Sequence, residues 1–191
     1  MSEPTYTALV DDHLLFHGTL PALLHSLKAH EDHHASMPVI FEDHTGLHID
    51  FDLRGTLDEV LSRYTPTPES TERPKASAST REITLLPRHW SWLDEHGSAS
   101  ATLRRLVDTA RLSNIEKQTA TRATEAARHF ITAMAGNRPQ YEEALRALYA
   151  SNEDSFTNQT RTWPKAIRDT ALRLATPAFT FHAQNHAQKP A

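Results

Sequence analysis

Two stretches in the first third of the chain repeat one order of features: strand, turn, strand, Gly-Thr-Leu, helix. In the first, residues 5–10 and 13–17 flank a turn at Asp11-Asp12, and Gly18-Thr19-Leu20 leads into Pro21-Ala22-Leu23-Leu24. In the second, residues 38–42 and 47–53 flank a turn over 43–46, and Gly55-Thr56-Leu57 leads into Asp58-Glu59-Val60-Leu61. Leu47, Ile49, Phe51 and Leu53 alternate with His48, Asp50 and Asp52, the period of an antiparallel strand with one buried face. Thr56 and Glu59 stand three apart, as a capping box requires. Leu20, Leu23, Leu24 and Leu27 fall at helical spacing, as do Leu57, Val60, Leu61 and Tyr64. The expectation is a ββαββα arrangement: a four-stranded antiparallel sheet with two helices on one face. Duplication of a unit and convergence of capped strand-to-helix junctions both produce such a pattern.

Residues 65–80 contain Pro, Ser and Thr and no large apolar side chain, so they are predicted to be a linker. Residues 82–86 read as a short strand, ended by Pro87, which cannot donate a ladder hydrogen bond but suits the first turn of a helix. A helix with Trp90 and Leu93 on one face runs to Gly97. Ser98 or Ser100 caps the next, whose Leu103, Leu106, Val107 and Ala110 form a stripe. From residue 114 the pattern is helical: a long segment to Gly136, one opened by Pro139, a short one capped by Asn152, and a last one started by Pro164. Residues 176–191 lack periodicity and are predicted to be a disordered tail. The fold class is therefore α+β, with a sheet domain over 1–64, a linker over 65–80 and a mainly helical domain over 81–175.

The chain of 191 residues has a formal net charge of −4, which argues against nonspecific coating of nucleic acid. The charge is uneven. Residues 1–62 hold eleven acidic side chains against Lys28 and Arg54, and the basic excess lies beyond them. There is no cysteine, hence no disulfide framework and no thiolate site. No apolar run reaches membrane-spanning length and no signal-peptide core follows the first residues, so a cytoplasmic location is expected.

Histidine is enriched: His25, His30, His33, His34, His44 and His48 fall close together near Asp32, Asp43 and Asp50. Such a set suits zinc, nickel or copper, but no metal-binding spacing organises it, and a solvated polar loop is the expectation. No nucleophile elbow and no glycine-rich phosphate loop is present. Neither catalysis nor a cofactor is predicted.

The strand-helix-helix order over residues 81–111 resembles the ribbon-helix-helix family of dimeric bacterial DNA-binding proteins. The resemblance implies two strands paired across a two-fold axis, with Ile83 and Leu85 in the dimer interface and Trp92, off the Trp90–Leu93 stripe, as a further anchor. It also implies DNA contacts from Thr84 and Arg81 on the strand, from Arg73 and Lys75 in a basic arm, and from Ser98 and Ser100 at the second helix start. Neither strand register offers a full base-reading set: with Glu82, Thr84 and Leu86 outward, Glu82 is repelled by phosphate and Leu86 offers little, and with Arg81, Ile83 and Leu85 outward, Glu82 is buried at a cost unless it is paired. Over the whole chain, the order FDLRGT, RPK, LLPRHWSWL, LRRLV, AMAGN and ALRLA resembles the bacterial family catalogued as domain of unknown function 2239. That resemblance implies an architecture and no activity. Two functions are expected from these readings: a homodimeric DNA-binding regulator, or an assembly module that uses the strand for dimerisation alone.

Overall fold

A computed structural model describes residues 3–31, 36–64 and 82–187. The chain forms two compact units, one of Met1–Thr67 with Lys117–Ala191, the other of Pro68–Glu116. This division differs from the expected one, because the sheet and the last helices share a core.

In the first unit, β1 (Thr5–Val10), β2 (His13–Thr19), β3 (Val39–Glu42) and β4 (His48–Ile49) form one antiparallel sheet in the order β2-β1-β3-β4. Asp11, at φ 52°, makes the tight turn between β1 and β2. β4 has two residues rather than the expected seven, yet the alternation persists beyond it: Ile49, Phe51 and Leu53 pack with Tyr6, Ala8 and Ile40. Onto that face lies α1 (Leu20–Glu31), through Leu23 and Leu27, and α2 (Leu57–Tyr64) joins it through Tyr64, whose ring meets Phe51 edge to face with centroids 5.0 Å apart. The capping box at the start of α2 is formed, with the Thr56 N–H donating to Glu59 Oε2 at 2.8 Å.

The opposite face is also buried. Leu9 and Phe41 join Ala127, Phe130, Ile131, Leu148, Phe156, Trp163 and Ile167 in one cluster. Those partners come from the end of α4 (Ala99–Ala135), α5 (Tyr141–Tyr149), α6 (Glu153–Thr160) and α7 (Lys165–Ala187), with Trp163 in the turn between α6 and α7. The Phe41 and Phe130 rings meet edge to face, with centroids 5.0 Å apart. A Cβ on Gly46 would lie 1.9 Å from the Ala126 carbonyl oxygen, so this turn can seat on α4 only without a side chain. Two helix boundaries differ from expectation. α4 continues through Ser113 and Asn114, because these residues cost a helix only tenths of a kcal/mol in roughly the manner of other ordinary residues. α7 continues through Thr176 and past Pro177 to Ala187, so the tail predicted from residue 176 is helical that far; burial of Ala178 and Phe179 explains it.

In the second unit, α3 (Pro87–Glu95) and the beginning of α4 meet at Gly97, whose φ of 97° favours glycine. Leu93 is buried, whereas Trp90, expected on the same buried face, is 41% exposed. Residues 82–86 form no strand. Leu86 is extended (φ −72°, ψ 152°), as a residue before proline must be, but a strand also needs a ladder partner and none is present among the described residues. The ribbon of the ribbon-helix-helix resemblance is thus not seen. The linker over 65–80 lies outside the described residues. No helix among the described residues is long and apolar enough to cross a membrane.

Candidate functional site

The side chains predicted to bind DNA or form a dimer are dispersed in the second unit. Thr84, Ser98 and Ser100 are exposed, as are Ile83 and Trp92, and Leu85 is half-buried. The start of α4 is closed mainly through backbone: the Thr102 N–H donates to the Ser98 carbonyl at 2.9 Å, and Thr102 Oγ1 donates to His96 O. Trp92 stacks on His96, centroids 4.0 Å apart. Arg73, Lys75 and Arg81, like His33 and His34, lie outside the described residues. His30 is buried and its Nε2 faces the Ser36 carbonyl at 2.9 Å. No group of three or more metal-ligating side chains gathers among the described residues.

A different cluster is organised in the first unit. Strand alternation turns Tyr6 and Ala8 to one face and Thr5, Thr7 and Leu9 to the other. β2 sets His17 opposite Thr7, and the turn after β3 brings Asp43 back, its N–H donating to Thr5 O at 2.9 Å. Arg173 reaches the same point from the middle of α7. The Asp43 side chain is only 7% exposed. Its Oδ1 accepts from Thr7 Oγ1 at 2.6 Å; its Oδ2 accepts from Thr5 Oγ1 at 2.8 Å and Arg173 Nη1 at 2.9 Å, with His17 Nε2 at 3.0 Å. Arg173 Nη2 also donates to Thr7 Oγ1 at 2.6 Å. Burial alone pushes the Asp43 carboxyl up, but the bonds from Thr7, Arg173 and Thr5 and the guanidinium charge outweigh it and hold it below the ordinary value. Asp43 is therefore a fixed anion that orients His17 and Arg173. It is poorly suited to carry a proton itself.

Two clefts open beside this node, and Arg173 lines both. One, of about 480 Å³, is bordered by Glu3, Glu42, His44 and Arg122. The other, of about 640 Å³, runs between β2 and the first turns of α7, bordered by His13, His17, Lys165, Asp169 and Thr170. Sequence reasoning did not single out this cluster, since its members lie far apart in the chain. One signal was available: Arg173 interrupts the apolar run Ala171-Leu172-Arg173-Leu174-Ala175, and a charge there needs a partner.

A family model described as "Uncharacterized protein conserved in bacteria (DUF2239)" matches residues 5–175, most of the chain. No curated protein and no solved structure matches.

Proposed function

The chain belongs to that bacterial family, and from that premise we propose that it is a non-enzymatic assembly protein that pairs with a second copy of itself through the second unit. The observation that carries this reading is an uncovered apolar surface. From Arg104 to Glu116 every residue of α4 is exposed, and Leu106, Val107, Leu112 and Ile115 are among them. Ile83, Leu86, Trp90 and Trp92 are exposed in the same unit. Eight of the twelve large apolar side chains exposed among the described residues thus lie between 82 and 116. Scattered apolar residues need no explanation, but a concentrated set with tryptophan marks an interaction surface.

A second copy suits the charges. Arg104 and Arg105 stand near one end of this helical segment and Glu116 at the other. An antiparallel pair centred on Ala110 levels Arg104 of each copy with Glu116 of the other, as an isologous two-fold interface requires. The DNA-binding reading uses the same dimer. It is the weaker one, because residues 82–116 hold four arginines against five carboxylates and attract phosphate little.

Sedimentation equilibrium of the full chain at micromolar concentration tests the proposal. A dimer is expected, and the double change Leu112→Glu with Ile115→Glu should give a folded monomer that has lost only the stabilisation due to dimerisation, since both side chains are exposed in the single chain. A strictly monomeric parent protein would overturn the reading. Salt-sensitive retention of DNA fragments by the dimer would move the function to the second reading.

A further inference from the structure

We propose that the cleft between β2 and the first two turns of α7 binds a small phosphate monoester. The first observation is an unsatisfied hydroxyl. Thr170 is 4% exposed and borders this cleft, yet among the described residues its Oγ1 has no hydrogen-bond partner. Among the described residues no fully enclosed polar side-chain atom lacks a partner, so this oxygen is not wholly sealed from solvent. A threonine in a helix ordinarily bonds the carbonyl four residues back, as Thr160 and Thr176 do here. Thr170 makes no such bond and lines the cleft.

The second observation is the donor set around it. Arg173 uses two of its five N–H groups, on Asp43 and Thr7, and stays locked in place with the rest available to the cleft it lines. The first backbone N–H groups of α7, a helix of 23 residues, lie at the same end, where Pro164, Lys165 and Ala166 border the cleft. His13 and His17 face these groups from β2. Nε2 of His17 is directed at Asp43, which fixes the ring at the edge of the cleft.

The nearby carboxylates do not cancel this set. Asp12 is bound by Arg138, Asp169 by Lys165 and Arg168, and Asp43 by Arg173. Four cations stand against three anions before any histidine is protonated. A cleft of about 640 Å³ exceeds what free phosphate fills, and Leu14, Pro164 and Ala166 supply an apolar part for the remainder of an ester.

The test is titration of the full-length protein with phenyl phosphate and, separately, inorganic phosphate, followed by amide chemical shifts. Shifts should centre on Ala166, Thr170 and His17, with phenyl phosphate binding more tightly than inorganic phosphate. Thr170→Val, which keeps the shape, should weaken binding about tenfold by removing one hydrogen bond to a charged oxygen, and Thr170→Ser should restore it. The proposal is overturned by absence of binding at millimolar ligand, by equal affinity in Thr170→Val, or by tighter binding of inorganic phosphate.

Discussion

A carboxylate whose side chain is 7% exposed has to be compensated by donors, and Asp43 meets Thr5, Thr7, His17 and Arg173. These four come from two strands and a helix, so one side chain ties the edge of the sheet to α7. Arg173 itself is 36% exposed, so water softens the loss of its partner. We expect Asp43→Ala to cost about 2–4 kcal/mol in urea denaturation, mainly through donors left unpaired. The pH dependence follows from the direction of the shift. The folded-state pKa lies below the unfolded one, so this contribution is fully present above the unfolded value of about 4 and is lost as pH falls through the folded value. Unfolding measured across the acid range should therefore be less pH-dependent in Asp43→Asn than in the parent protein.

At the scale of the element, helix ends follow local chemistry and helix continuations follow packing. Asn152 Oδ1 accepts from the Ser155 N–H at 2.9 Å and starts α6 where a capping residue was expected. Asn152→Ala should lower stability by about 1 kcal/mol, measured by thermal or urea unfolding, and a null effect would mean that α6 is held by packing alone. α7 shows the other case. Pro177 deprives the Arg173 carbonyl of its usual intrahelical donor, a local signal to stop, but Phe179 beyond it packs against Phe156 with ring centroids 5.6 Å apart. Burying such a ring outweighs one missing hydrogen bond.

At the scale of the molecule, the first unit is layered: α1 and α2, the sheet, then the later helices. Phe41 of β3 and Phe130 of α4 cross the join between the last two layers. Phe130→Ala should destabilise sheet and helices in one common transition by about 3–5 kcal/mol, read by far-UV circular dichroism in denaturant. A double-mutant cycle with Phe41 should give a coupling of about 0.5–1.5 kcal/mol beyond burial. Separate transitions for sheet and helices would show that the layers do not share a core.

Local rules determined much of this protein from its sequence alone. The repeated strand-turn-strand order identified the sheet, and alternation over residues 47–53 identified its α1–α2 face, since period-two burial is a property of a strand by itself. Thr56 with Glu59, Gly97 and Asn152 marked helix ends, because capping involves groups only a few residues apart. What tertiary structure decided involves distant groups. Nothing in residues 5–10 says that Thr5 and Thr7 face Arg173, or that a second helical layer covers Leu9 and Phe41. A strand over residues 82–86 failed to appear for the same reason: extended backbone is a local preference, but a ladder needs a partner. The Asp43 cluster was illegible because its charge balance closes over 130 residues of chain.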